Sequence, residues 1–421
     1  MSGARETKSG QASLASSSLA KPKTIVLVIS HLGPGGAQRV VANAVEVLAG
    51  RGLDVHLLVF TERADAYPID ARATCHYWLR HWLRRSGARR PLDLEDNGET
   101  DAPMPKARKS GRSLKDMVRS VVPTQVGSAY ELVRISSWLR NKIKQIEPDA
   151  VLSFLTQTNI MTVMATRGLD TRTVISERND PRLQRHRPRV EYLRRLIYPR
   201  ADVVTANSLG ALDALSAFVP RGKLAFLPNP LLPAGGGKAT AFAAPTVITV
   251  GRLVEQKGID VLLKAWAKVA AALPGWRLML VGGGPLEGDL KALAAKLKID
   301  RSVEFAGHVS DPFPLLKGAK LFVLTSRFEG TPNALLEAMA CGLPAVVSDA
   351  SPGPSELIGS GEDAAGLIVP VEDADATAAA IIRLAGDENL RRQLGANAVQ
   401  RVASHGADQA IDVWLHLLRC E

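Results

Sequence analysis

Short runs of β-branched and aliphatic residues recur along the chain, separated by segments whose apolar positions return every three or four residues. Continuous apolar runs are the pattern of strands buried on both faces, and the wider spacing is that of amphipathic helices. In the second half the runs fall at Thr246–Val250, Arg277–Val281, Ser302–Phe305, Lys320–Thr325, Ala345–Ser348 and Gly366–Val369. Helix-period segments at Ile259–Leu273, Leu286–Leu297, Pro332–Ala340 and Ala374–Leu384 lie between them. The first half repeats the theme with strands at Thr24–Ser30, Asp54–Phe60, Ala150–Phe154, Arg172–Ser176 and Asp202–Ala206, and a helix at Ala37–Ala49. Strand–helix alternation of this kind predicts an α/β protein of two doubly wound, Rossmann-like domains. Ligands are then expected in a cleft at the carboxyl ends of the strands.

The 421 residues fit two domains. Residues 1–22 read as a disordered tail and 86–115 as a flexible insertion in an N-terminal domain spanning 23–232. The Gly- and Pro-rich segment 233–245 reads as a linker, and 246–390 as the C-terminal domain. Helices over 391–421 have the option of crossing back to the N-terminal domain. No apolar run approaches the ~18–20 residues of a membrane-spanning helix, and no secretory leader is apparent.

Charge is uneven. The net charge is +11, but residues 1–235 carry 35 Lys and Arg against 21 Asp and Glu, while the remainder carries 18 against 21. Basic clusters at 80–90, 106–115 and 178–200 interleave with Trp78, Trp82, Tyr192, Leu196 and Ile197, a pattern suited to an anionic membrane surface. A solvated basic face is the bland alternative. No nucleic-acid-binding module or stacking platform accompanies the charge, so nucleic acid is not an expected partner. Cys75, Cys341 and Cys420 have neither metal-ligand nor disulfide-framework spacing, which favours a reducing, cytoplasmic setting. The pair Asp373 and Asp375 reads as helix capping, and no metal or other cofactor is expected.

Candidate chemistry gathers at strand–helix junctions. His31-Leu-Gly-Pro-Gly-Gly36 follows the first strand, where glycines permit positive φ and close ligand approach and the helix start offers free amides. A dinucleotide fingerprint is not met: Gln38 stands in place of its third glycine, and no acid ends the second strand. Val281-Gly-Gly-Gly-Pro285 occupies the same kind of junction and reads equally as a turn with unusual dihedrals or as a ligand contact. In Phe328-Glu-Gly-Thr-Pro-Asn-Ala-Leu-Leu-Glu337, Thr331 fits the N-cap and Pro332 the first helical position. The amides of Asn333 and Ala334 would then face an anion, with Glu329 before them and Glu337 along the helix. Arg252 and Lys257, in Gly251-Arg-Leu-Val-Glu-Gln-Lys-Gly258, should project over the same sheet edge. Two cations, two amides and two carboxylates suit a sugar diphosphate, the cations meeting charge and the carboxylates meeting hydroxyls.

From GRLVEQKG through LVGGGP, EFAGHV and FVLTSRFEGTPNALLEAMACGLPAVVSD, the second half resembles the donor domain of retaining GT-B glycosyltransferases of the family-4 type. Glu329 and Glu337 match the family's E-x7-E signature, and SHLGPGGAQRV resembles the acceptor domain. The resemblance implies that Arg252 and Lys257 hold the donor diphosphate, Glu337 the ribose hydroxyls, and Glu329 the transferred sugar. Gly330, Asn333, Ala334 and Leu335 would lie beside the sugar, His308 and Val309 beside the base, and Gly35 and Gly36 would approach from the other domain. On this reading Glu329, Arg252 and Lys257 are the catalytic residues. The His that many members carry early in the acceptor domain is absent from Ser153-Phe-Leu-Thr-Gln-Thr-Asn159, so Gln157 or Asn159 would substitute. Glu177, in SERND, would orient the acceptor, with pairing to Arg178 as the structural alternative.

The activity implied is transfer of a hexose or N-acetylhexosamine from a nucleotide diphosphate sugar to a lipid-linked or cell-surface glycan, with configuration retained. A UDP-sugar is preferred over GDP-mannose, and a polyprenyl-linked glycan acceptor implies a peripheral site on the inner face of the plasma membrane. The competing readings are a non-catalytic sugar-nucleotide-binding protein and a GT-B-like epimerase.

Overall fold

The computed structural model describes residues 23–33, 35–61, 67–78, 124–184, 186–232 and 237–420. The expected tail 1–22, the insertion 86–115, the basic clusters 80–90 and 106–115, and linker residues 233–236 lie outside these.

The N-terminal sheet comprises β1 (Thr24–Ile29), β2 (Asp54–Val59), β3 (Thr74–Tyr77), β4 (Ala150–Phe154), β5 (Arg172–Glu177), β6 (Val203–Ala206) and β7 (Leu224–Phe226). Its order is β3-β2-β1-β4-β5-β6-β7, parallel throughout. The helices threaded through it are α1 (Gly36–Gly50), α2 (Thr124–Ile146), α3 (Thr156–Thr166), α4 (Pro188–Ile197) and α5 (Leu209–Leu215). The six-stranded second sheet runs β10-β9-β8-β11-β12-β13, also parallel. Its strands are β8 (Thr246–Val250), β9 (Arg277–Val281), β10 (Val303–Gly307), β11 (Leu321–Leu324), β12 (Ala345–Ser348) and β13 (Gly366–Val369). Its helices are α6 (Ile259–Ala272), α7 (Glu287–Lys296), α8 (Phe313–Gly318), α9 (Asn333–Ala340), α10 (Pro352–Ile358), α11 (Ala374–Gly386) and α12 (Glu388–Val402). The last helix, α13 (Ala407–Leu418), follows them.

Both sheets are covered on both faces, which is why their strands read as unbroken apolar runs. In β1, Ile25, Leu27 and Ile29 join α1 in one core, while Val26 and Val28 join Ile135, Trp138 and Leu139 of α2 in another. Successive side chains of a strand point to opposite faces, so one strand serves two cores. In the C-terminal domain Trp266 of α6 is fully buried on one face of the sheet, and Leu335 and Met339 of α9 pack on the other. The chain end returns to the N-terminal domain: Ile411, Trp414, Leu415 and Leu418 of α13 complete the core around α1. Trp414 donates its indole N–H to the Pro228 carbonyl at 2.9 Å, and Arg51 bridges Asp408 at 3.0 Å and Asp412 at 2.5 Å. Among the described residues no helix is long and apolar enough to cross a membrane.

Two edge strands escape the sequence pattern. β3 is Thr-Cys-His-Tyr and only half-buried, and β7 has three residues. Edge strands with one solvated side lack the continuous apolar run that marks central ones.

Candidate functional site

The carboxyl ends of both sheets converge on one cavity of about 490 Å³. The turns after β8, β9 and β10 and the segment leading into α9 form one wall. The start of α1 and the turns after β4, β5 and β6 form the other. Of the residues singled out from sequence, Gly35, Gly36, Arg252, Lys257, His308, Val309, Glu329, Gly330, Asn333, Ala334 and Glu337 all line it. Leu335 does not: its side chain is fully buried in the core, and its amide donates to the Pro332 carbonyl at 3.1 Å.

Glu329 sits in the loop after β11, and Lys257 donates to its Oε1 at 2.5 Å, as does the Ser326 hydroxyl at 2.6 Å. Ser351 holds the Glu329 backbone, accepting from its amide at 3.1 Å and donating to its carbonyl at 2.6 Å. Glu337 projects from α9, and Arg39 of α1 reaches across the cleft to its Oε1 at 2.9 Å. Burial pushes the Glu337 carboxyl up to about 7, Arg39 pulling it back only partly. Both carboxylates therefore meet cations in the protein alone.

Folded Glu337 holds its proton more tightly than the unfolded chain does, so the sign of its linkage follows. Its contribution to stability is fullest below the ordinary value of 4.5, falls as pH rises through about 7, and is constant above. Glu337→Gln is expected to lessen the fall in melting temperature between pH 5 and 8. Parallel wild-type and variant curves would remove this assignment.

Two details differ from expectation. Pro332, not Thr331, is the N-cap of α9, because the Thr331 hydroxyl donates to the Asn207 carbonyl across the cleft instead. Gly35 is extended, with φ 168°, so it uses no left-handed conformation. Gly282 does, with φ +134°, and a Cβ there would stand 1.9 Å from the Gly251 carbonyl oxygen. The β9 loop thus packs backbone to backbone on the Arg252 loop, and both loops line the cavity.

The expected acceptor residues lie away from the cavity wall. Gln157 is solvent-exposed at the start of α3. Asn159 is fully buried, accepting from Ser153 at 2.8 Å and donating to the Ser176 carbonyl at 2.9 Å and the Tyr198 hydroxyl at 3.2 Å. The buried Glu177 carboxylate accepts from the Thr156 hydroxyl at 2.9 Å and from the Tyr198 hydroxyl. This network braces the turn at Leu155, which lines the cavity with φ +75°, a conformation unfavourable for a bulky residue. Glu177 and Arg178 do not pair: one is anchored in that network, the other lies on the cavity wall.

Arg39, Tyr67, Arg178, Asn207 and Asn229 also line the cavity and were not marked from sequence as site residues. Arg39 could have been, since it lies three residues beyond Gly36 on the first turn of α1. The others lie at unconnected strand ends that only the fold brings together.

The two domains touch. Asn333 donates to the Gly36 carbonyl at 2.8 Å, and Asn229 donates to the Thr331 carbonyl at 3.1 Å and to the Asn333 side-chain oxygen at 2.5 Å. The Glu356 carboxylate caps α5 through the Leu209 and Gly210 amides, both at 3.1 Å. Among the described residues no group of three or more His, Cys, Asp or Glu could hold a metal ion. Asp373 accepts from the Ala376 amide at 2.8 Å and caps α11.

Two parallel sheets facing a common cleft define the GT-B architecture of glycosyltransferases. Staphylococcus aureus TarM, solved with UDP, superposes with a TM-score of 0.72 at 13% identity, covering 94% of this chain and 99% of that one. Anabaena HepE, also solved with UDP, superposes with a TM-score of 0.68 at 16% identity, covering 95% and 100%. Residues 35–230 match the family described as "Glycosyl transferase 4-like domain", and residues 241–401 that described as "Glycosyl transferases group 1". The chain is 30% identical over 284 residues to a Campylobacter jejuni α-1,4-N-acetyl-D-galactosaminyltransferase whose named acceptor is an undecaprenol-PP-linked saccharide, covering 66% of this chain and 77% of that one. It is 33% identical over 239 residues to the lipopolysaccharide core biosynthesis glycosyltransferase LpsE of Rhizobium meliloti, covering 54% and 67%. A third match, 37% over 206 residues, is to an exopolysaccharide phosphotransferase of Streptomyces coelicolor, of whose length this chain spans 21%. The chain belongs to the group 1, family-4-type glycosyltransferases.

Proposed function

We propose that this glycosyltransferase moves a hexose or N-acetylhexosamine from a nucleotide diphosphate sugar, UDP-linked by preference, to a hydroxyl of a lipid-linked or cell-surface glycan, with retention. The observation that carries the reading is that Arg252, Lys257, Glu329 and Glu337 surround one cavity at the switch between two parallel sheets. When donor enters, Lys257 leaves Glu329 for the diphosphate and Glu329 turns to the hydroxyls of the transferred sugar. Glu337 exchanges Arg39 for the ribose hydroxyls. Departure of the diphosphate builds negative charge that Arg252, Lys257 and the start of α9 stabilise in place, so no metal is required. The leaving phosphate takes the acceptor proton on the face from which it departs.

The acceptor is proposed to be presented at the inner face of the plasma membrane. In support, α4 exposes Tyr192 at 67% and Leu196 at 42% beside the exposed Arg189 and Arg195. Each basic residue near an anionic lipid surface contributes ~1 kcal/mol. Sedimentation with phosphatidylglycerol vesicles is expected, falling as salt rises, and weaker for the double variant Tyr192→Ser, Leu196→Ser. Equal sedimentation with neutral vesicles would remove the anionic-surface reading, and sedimentation with neither would remove the membrane reading.

The function is tested by incubating the protein, in excess chelator, with a panel of UDP- and GDP-sugars and a polyprenyl-pyrophosphate-linked saccharide. Free nucleoside diphosphate with a lengthened acceptor of retained configuration supports the proposal. An isomerised sugar nucleotide would mark an epimerase, and ligand-induced thermal stabilisation without product a binding protein.

A further inference from the structure

Arg178 differs from the other charged groups of the cleft. It lies just past β5, is 7% exposed and lines the cavity. Its Nη1 donates to the Ser176 hydroxyl at 3.1 Å, its Nη2 to the Asn229 side-chain oxygen, and its guanidinium carbon lies 5.7 Å from the Phe154 ring centroid. Among the described residues no carboxylate forms an ion pair with it. Glu177 favours its charge electrostatically, but the Glu177 oxygens are engaged by Thr156 and Tyr198. Burial pushes the guanidinium down to about 9, which leaves it cationic at neutral pH. On the same wall Asn207 holds a buried side-chain oxygen with no hydrogen-bond partner among the described residues.

A buried cation resting on neutral oxygens and an orphaned buried acceptor each disfavour the folded protein by itself. The cation is explained if an anionic ligand completes it; the Asn207 oxygen is an acceptor packed against Gly330, and a diphosphate, which has no proton to donate, does not satisfy it. The charge of the wall agrees: Arg39, Arg178, Arg252 and Lys257 face Glu329 and Glu337, an excess of two positive charges among the described residues. Arg39 and Lys257 already neutralise the two carboxylates.

We propose that Arg178 is a phosphate-binding cation of the cleft, supplied by the N-terminal domain and directed at the diphosphate of a bound nucleotide opposite Arg252 and Lys257. The proposal rests on the nucleotide-sugar reading and adds to it the wall that completes the diphosphate site. In the transfer, the bond from the anomeric carbon to the β-phosphate oxygen breaks and its electron pair stays on that oxygen. The acceptor oxygen bonds to the anomeric carbon, and its proton passes to the departing phosphate. Arg178 stabilises the charge on that phosphate, and the site is complete only when the domains meet.

The test compares wild type with Arg178→Met, which keeps length and apolar packing, and Arg178→Lys, which keeps charge. Thermal melting is measured, together with calorimetric binding of UDP, GDP and inorganic pyrophosphate. Arg178→Met is expected to melt no lower than wild type and to bind pyrophosphate and the preferred nucleotide about tenfold or more weakly. Arg178→Lys should recover a large part of that affinity. A structural arginine gives the opposite pattern, so an Arg178→Met protein that melts lower, or fails to fold, overturns the proposal. Unchanged affinity in a folded Arg178→Met protein overturns it while leaving the nucleotide reading standing. Pyrophosphate binding lost in Arg178→Met, with neither nucleotide bound by wild type, supports Arg178 and overturns the nucleotide reading. Wild type that binds none of the three overturns both.

Discussion

Lys257→Ala is expected to lower turnover by about a hundred- to a thousandfold at saturating donor, with the fold intact. Removing one preorganised group that stabilises developing charge costs about 3–4 kcal/mol of barrier. The effect has a second source. Lys257 holds Glu329 Oε1 at 2.5 Å, and without it the carboxylate of the 5%-exposed Glu329 is left, among the described residues, with the Ser326 hydroxyl. An unneutralised carboxylate in the cavity then repels the incoming diphosphate. The double variant Lys257→Ala, Glu329→Gln removes that repulsion. It should bind nucleotide more tightly than Lys257→Ala alone while remaining slow, because the cation that meets the developing charge is still missing. Single-turnover kinetics and calorimetry separate the two effects. Turnover of Lys257→Ala within threefold of wild type would exclude Lys257 from the chemistry.

The cleft could be read from sequence where chemistry and backbone geometry coincide on one segment. β11, the turn after it and α9 are contiguous, so Glu329, the start of the helix and Glu337 follow from local rules. β8, β9 and β12 are recognisable because burial on both faces keeps their strands mostly apolar. The partners of those carboxylates are another matter. That Arg39 meets Glu337, or that Thr331 forgoes its capping role for the Asn207 carbonyl, depends on how two separately folded domains come to rest. No spacing along the chain encodes the distance between two sheets. The acceptor side shows the same limit. Asn159 in the first turn of α3 and Glu177 at the end of β5 are polar residues near the carboxyl edge of the sheet, as functional residues often are, yet their hydrogen bonds are satisfied among Ser153, Ser176, Thr156 and Tyr198. Their role in the fold is to hold the turn carrying Leu155, which does face the cavity.

Closure should fail when Gly330 acquires a side chain. A Cβ at Gly330 would stand 2.1 Å from the Arg178 carbonyl oxygen and 2.7 Å from the Asn207 side-chain oxygen, both on the opposite domain. The nearest obstacle is backbone, which cannot rotate aside as a flexible side chain can. Relief requires the domains to separate, stretching the bonds from Thr331 to Asn207 and from Asn229 to Thr331. Each domain keeps its own sheet and cores, so Gly330→Ala is expected to melt cooperatively near the wild-type temperature. Its scattering in solution should report a larger radius of gyration that nucleotide does not reduce. Turnover should fall by about two orders of magnitude or more, since a misplacement of about 1 Å in a closing site already costs that much. Gly275→Ala is the control, because nothing lies within 4 Å of the added carbon and the residue is remote from the cleft. A Gly330→Ala protein with wild-type scattering and turnover would mean that the interdomain contact at this glycine is not part of the active conformation.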